Sequence, residues 1–224
     1  MNIGKLTVNN EAGFALVANQ VQSGWQVLDL SADAATHAVL LATGANVVCP
    51  GWADNADFGW DKESDHLFDL IVVNAPPLEP DQLSRLVPLL KPGGKLLLTM
   101  ILVPGSRLRG KKARLHRQAG KYIKTMLRFH DRANGRCYSL DRWEDALMAD
   151  GFVIDQQSIH ALPVDFASWS GHLSPTDRLR LRVMVTQAPT AVADFLTPQT
   201  VGDRIEFRLQ QIVIWSSRQT DGMT

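Results

Sequence analysis

Residues 68–99 read FDLIVVNAPPLEPDQLSRLVPLLKPGGKLLLT, and the order of elements in this stretch decides the fold. From Phe68 to Asn74, aromatic and β-branched residues run nearly unbroken, as they do in a strand covered on both faces of a parallel sheet. Ala75 to Pro80 is a proline-rich turn. Leu83, Leu86, Val87 and Leu90 then recur at helical spacing, which predicts a helix over 81–90. The Lys-Pro-Gly-Gly run from Lys91 to Gly94 is expected to end that helix by removing a donor and admitting positive φ. Lys95 to Val103 follows as a second buried strand, so the stretch is strand, helix, strand.

The same alternation extends in both directions. Gln26 to Leu30 is a short apolar strand containing Asp29, followed by a helix-compatible stretch from Asp33 to Thr43 and a stop at Gly44. Asn46 to Cys49 is a further strand, cut off by Pro50 and Gly51. The polar segment from Trp52 to His66 is read as loop. Beyond Val103, a basic helix is expected from about Ala113 to Phe129, with Tyr122, Met126 and Phe129 as its apolar stripe. A second helix is expected from Leu140 to Ala149, capped by Ser139 and stopped at Gly151. A strand over Phe152–Ile159, helices over Phe166–His172 and Pro175–Ala188, and a last strand over Arg204–Trp215 complete the reading. Strands alternating with helices predict a doubly wound, mostly parallel α/β sheet.

A chain of 224 residues can bury about 70% of the surface its unfolded form exposes, so it needs no disulfides, and it is read as one domain over residues 1–224. At 45% hydrophobic and 21% charged residues it lies far from the disordered class. Cys49 and Cys137 have no metal-type spacing and read as free thiols of a reducing compartment. The amino terminus lacks a secretory apolar run, and no stretch reaches the ~20 apolar residues of a membrane span, so a cytoplasmic protein without a transmembrane segment is expected.

The stretch from Phe68 to Leu98 resembles the fourth strand, following helix, "kPGG" turn and fifth strand of the class I S-adenosylmethionine-dependent methyltransferases, particularly the small-molecule branch related to ubiquinone and menaquinone C-methylating enzymes. Residues 136–154, RCYSLDRWEDALMADGFVI, resemble the segment of that family in which a helix bearing a Trp leads through a Gly-Phe turn into the sixth strand. Residues 159–189 are similar to the tail of many members. The resemblance covers the chain from about Gln26 onward. It implies a Rossmann-like sheet with an antiparallel last strand, S-adenosylmethionine as cofactor and no metal, and a small-molecule substrate.

Against that family's pattern the cofactor region departs at three places. The first strand keeps its acid, Asp29, but Ser31, Asp33 and Ala35 stand where glycines would let the backbone approach the ligand. Asp33 also adds a negative charge near the expected carboxylate of the methionine moiety. The second strand ends in Cys49-Pro-Gly51 and offers no acid for the ribose hydroxyls. The segment Trp52–His66 is too short for a full helix and third strand, so a reduced third-strand region is expected. Together these predict weak cofactor binding on a retained fold. Asp29, Ser31, Asp33, Ala35 and Asn74 are the candidate cofactor-contacting residues; no catalytic residue is assigned. Asn74 begins an Asn-Ala-Pro-Pro run similar to the Asn-Pro-Pro motif that holds a target nitrogen in amino-group methyltransferases, and a plain strand-ending turn is the competing reading.

His37, His116 and His130 have no ligand partner at a suitable interval and read as surface or packing residues. Trp143 and Trp169 match family positions as core or pocket lid. The net charge is zero, yet between Pro104 and Arg136 eleven Arg or Lys oppose one acid, Asp131, leaving twelve basic and twenty-two acidic residues elsewhere. Arg107, Arg109, Lys111, Lys112, Arg114, Arg117, Lys121 and Lys124 are therefore the candidate anion- or partner-binding residues. A polyanion, a protein partner and a homo-oligomeric contact remain open for this segment. So do a methyltransferase, a pseudo-methyltransferase acting as a binding or regulatory subunit, and an enzyme using the pocket for another reaction.

Overall fold

A computed structural model describes residues 18–31, 34–49, 67–75, 78–105, 110–131 and 137–219, with backbone only at residues 75 and 110–112. Strand β1 (Gln26–Leu30) leads to helix α1 (Ala34–Ala42) and strand β2 (Asn46–Val48). Strands β3 (Phe68–Ala75) and β4 (Leu90–Ile101) follow. Then come α2 (Gly110–His130), α3 (Leu140–Ala149), β5 (Phe152–Asp165), α4 (Phe166–Trp169), α5 (Pro175–Thr186), α6 (Thr190–Leu196), β6 (Gln199–Val201) and β7 (Arg204–Arg218).

The sheet runs β2-β1-β3-β4-β7-β5, with β6 paired to β7. β1 lies parallel to β2 (Leu28 opposite Val48) and to β3 (Asp29 opposite Val72). β3 lies parallel to β4 (Asn74 opposite Thr99). The expected reversed strand is present. Leu102 N–H donates to the Gln210 carbonyl and the Ser216 hydroxyl to that of Leu96, so numbers rise along β4 as they fall along β7.

The unbroken apolar runs explain the central strands, because Leu70, Ile71, Val72 and Val73 on β3 and Leu96, Leu97 and Leu98 on β4 are all buried. The segment between them differs from its sequence reading. The expected helix over 81–90 is instead two 3-10 segments, Pro80–Arg85 and Val87–Leu89. Pro88 removes a backbone donor mid-segment and disfavours the α conformation at Val87, so a continuous helix cannot form. Leu83, Leu86 and Leu90 are buried as their spacing predicts, and Glu79 with Gln82 forms a capping box at the start.

The Lys-Pro-Gly-Gly run does not end a helix but interrupts β4, where the register against β3 shifts between Phe68 and Leu70. Gly93 takes a positive φ of 74°, and a Cβ on Gly94 would lie 2.9 Å from the Lys91 carbonyl oxygen and 3.1 Å from that of Phe68. Lys91 also pairs with Asp69 at 2.8 Å, fastening the irregular end of β4 to β3.

Three further boundaries move. β5 continues to Asp165, the helix at Phe166 ends at Trp169, and α5 ends at Thr186 with a separate α6 after Pro189. The segment Trp52–His66, with its expected loop and reduced third strand, lies outside the described residues.

The chain packs as two compact units, each discontinuous in sequence. Among the described residues, one comprises those within 18–100, 144–158 and 213–219, the other those within 101–143 and 159–212. The first has a core that includes Val27, Leu40, Leu70, Leu97, Val213 and Trp215. The second is built on α2, with Ile123, Met126, Trp169, Leu181 and Phe207 in its core. In that second unit His130 stacks on Trp169, its Nε2 N–H donating to the Trp169 carbonyl at 2.9 Å. Trp143 and Trp169 are both buried, so Trp169 is core and not a lid.

Candidate functional site at the carboxyl ends of the strands

From β1 the chain turns to β2 on one side, and β3 then pairs with β1 on the other, which makes the β1/β3 boundary a topological switch point. Open α/β sheets bind ligands at the carboxyl ends of strands at such a point. Asp29 sits at the end of β1 and is fully buried. A buried carboxylate is costly unless its oxygens are engaged, and here both are. Oδ1 accepts from the Ser31 N–H at 2.9 Å and the Ser31 hydroxyl at 2.6 Å, while Oδ2 lies 3.1 Å from His37 Nδ1.

Asp29 therefore holds the turn from inside, and the Ser31 hydroxyl is directed at the carboxylate. Asn74, half-buried at the end of β3, donates from Nδ2 to the Ser31 carbonyl at 3.4 Å and accepts from the Thr99 hydroxyl on β4. These bonds tie together the ends of β1, β3 and β4. Ala35 lies exposed in the first turn of α1, and Asp33 lies outside the described residues.

Cys49 joins this group although nothing in its sequence spacing signals it. Because Val48 pairs with Leu28 in a parallel ladder, the next residue on each strand, Cys49 and Asp29, end up side by side. The Cys49 sulfur, a His37 ring nitrogen and an Asp29 carboxylate oxygen all lie within 4.8 Å of one another. Partial burial pushes the Cys49 thiol up, and the Asp29 charge adds to the effect. His37 is partly exposed with its Nδ1 against Asp29, and Cys49 lies beside both.

No family model and no curated protein sequence matches the chain. Solved structures do. A candidate methyltransferase from Bacillus halodurans C-125 superposes with a TM-score of 0.72 at 18% identity, covering 95% of this chain and 100% of that one. The YcgJ protein from Bacillus subtilis gives 0.67 at 16% identity, over 94% of this chain and 100% of that one. This chain has the class I methyltransferase fold. A cyclopropane synthase from Mycobacterium tuberculosis shares it more distantly, with a TM-score of 0.52 at 17% identity over 93% and 87% of the two chains. At such identities the likeness is one of fold.

The basic segment forms α2. Ala113, Ala119, Ile123, Met126 and Leu127 give it a buried stripe, while Arg114, Arg117, Lys121 and Arg128 are exposed. Tyr122, expected in the stripe, is partly buried, and its hydroxyl donates to the Met184 carbonyl at 3.0 Å. Lys124 departs from the expected exposed face. It is partly buried, and that burial lowers its pKa, with the Cys137 thiol opposing the shift and Arg128 and Arg142 adding to it. Arg107 and Arg109 lie outside the described residues, as do the side chains of Lys111 and Lys112.

Sequence reading missed Arg178, Arg180 and Arg182, which α5 exposes in the same unit. Among the described residues that unit carries thirteen Lys or Arg against seven acids; the other carries four against eight. Cationic and anionic charge thus segregate by unit. Among the described residues no helix is long and apolar enough to cross a membrane.

Proposed function

We propose that the protein is a cytoplasmic S-adenosylmethionine-dependent methyltransferase acting on a small molecule, with a cofactor site that departs from the glycine-rich form. The observation that supports this is the switch point itself, where Asp29, Ser31 and Asn74 converge at the ends of β1 and β3. The residues there fit the cofactor. The Ser31 side chain is turned inward onto Asp29, and α1 opens with the small residues Ala34 and Ala35, a helix amino end of the kind that binds carboxylates. When bound, the cofactor supplies an electrophilic methyl group. Asp29 keeps the turn in place, and Asn74, its amide oxygen engaged by Thr99, orients the side of the crevice formed by β3.

Cys49 stands where an acid would hold the ribose. Losing charge-assisted hydrogen bonds worth about 1.5–3 kcal/mol weakens binding by about tenfold to a hundredfold. Calorimetric titration with S-adenosylmethionine and S-adenosylhomocysteine tests the reading. Weak saturable binding that tightens in Cys49→Glu is the expected result; no heat of binding to either variant at millimolar ligand overturns it.

The exposed cations of α2 support a second proposal, a phosphate-bearing or otherwise polyanionic partner for the basic unit. Exposed Arg114, Arg117 and Lys121 project from a helix whose opposite stripe is buried, which suits binding by counterion release.

A further inference from the structure

We propose that Asp29, His37 and Cys49 form a binding site for a divalent cation of the zinc class. The three donors come from the end of β1, from α1 and from the residue after β2, and their ligand atoms already lie within 4.8 Å of one another. Asp29 Oδ2 and His37 Nδ1 are 3.1 Å apart. Two ligands each about 2.0–2.2 Å from one zinc ion stand at about that separation, so the cation takes the place of the proton they share. Cys49 is exposed and not disulfide-bonded, so its sulfur is open to a metal at the edge of this pair.

The donor set selects the metal. One thiolate, one imidazole and one carboxylate suit a borderline-soft ion, whereas calcium and magnesium want oxygen alone. The carboxylate is already oriented, because Ser31 holds Oδ1 through both its N–H and its hydroxyl and leaves Oδ2 facing His37. Such outer hydrogen bonds are what fix a ligating carboxylate in metal sites. The described residues of the surrounding unit, with four Lys or Arg against eight Asp or Glu, favour a cation. Binding takes the thiolate form of Cys49 and releases its proton to solvent. Three protein ligands leave a fourth position for water or another small ligand, as in zinc sites that are not purely structural. The inference does not rest on methyl transfer, since it uses only these side chains.

The test uses tag-free full-length protein stripped of metal, titrated with zinc against a chromophoric chelator and, separately, with cobalt(II). One equivalent of zinc bound more tightly than micromolar is expected, together with a thiolate-to-cobalt charge-transfer absorption. Cys49→Ser alters an exposed side chain and is expected to keep the urea midpoint of the parent, whereas His37→Ala also removes the partner of the buried Asp29 Oδ2 and is expected to lower it. Each should weaken zinc at least tenfold, and Cys49→Ser should abolish the cobalt band, while Cys137→Ser should leave both readouts unchanged. Substoichiometric zinc, or affinity unaltered in Cys49→Ser and His37→Ala, overturns the proposal. Because S-adenosylmethionine is absent throughout, failure here leaves the methyltransferase reading to its own titration.

Discussion

The carboxylate of Asp29, fully buried at the end of β1, faces the imidazole of His37 across 3.1 Å while its other oxygen holds both polar groups of Ser31. One residue thereby accepts two hydrogen bonds from Ser31 and faces the imidazole at the end of β1. Asp29→Ala removes the Oδ1 acceptor of two hydrogen bonds from Ser31, a loss of about 2–3 kcal/mol. Asp29→Asn keeps an acceptor oxygen for Ser31 and should lose less than half as much. Urea unfolding of the two variants decides the matter, and an alanine variant as stable as the parent would show that the turn holds itself.

How much of this was legible before the fold was known follows from what each signal depends on. The buried strands β3 and β4 could be read from 68–99 because a run of Leu, Ile and Val reports burial directly. The reversed β7 entered only through resemblance. The helix expected over 81–90 failed since apolar spacing alone does not separate α from 3-10 structure, and Pro88 decided it. The Asp29, His37 and Cys49 cluster was invisible because parallel register is not written in linear spacing; it arises from Leu28 pairing with Val48. The positive face of α2 was visible as a charge run, but which cations turn inward, as Lys124 does, depends on helix rotation against α5 and α6.

Gly120 lies on the buried face of α2, directly over the Pro104 carbonyl, and a Cβ added there would run into that oxygen. Backbone cannot yield as a side-chain tip can. Alanine is the better helix former by about 1 kcal/mol, yet overpacking costs about 1–3 kcal/mol, so Gly120→Ala is expected to be neutral to destabilising by about 2 kcal/mol. A rise in thermal midpoint for this variant would mean that α2 does not pack on Pro104 as described.

His130 makes stability depend on pH. Burial lowers its pKa first, the Trp169 carbonyl opposes the shift, His172 adds to it and Asp131 opposes it. The unfolded chain takes up this proton near its ordinary value of about 6.5, whereas the folded chain does so only at lower pH. Below about pH 6.5 the unfolded state therefore binds more protons, and stability falls as pH falls. His130→Phe keeps the stacking on Trp169 but removes the titration. Its stability at neutral pH should be lower, since the Trp169 carbonyl loses its donor, while the decline from about pH 7.5 to 5.5 should be shallower than in the parent. Equal slopes in urea titrations across that range would assign the acid sensitivity to other groups.

Arg114, Arg117 and Lys121 stand exposed on α2 in a unit whose described residues include thirteen basic and seven acidic ones. Burying such cations unpaired costs several kcal/mol per ion, more than a domain stable by about 5–15 kcal/mol tolerates, so they face water or a negative partner. Reversing all three to Glu should leave the fold intact, because none contributes to the buried stripe of Ala119, Ile123 and Met126. Retention on heparin should then drop to lower salt, with the logarithmic salt slope shallower by about 0.9 for each anionic group that the variant no longer neutralises. Anionic liposomes provide a second arm, since loss of retention there but not on heparin points to a lipid surface. Unchanged retention on both would assign these cations to an interface with a second copy of the chain or with the acidic residues of this one, and would remove the polyanion proposal.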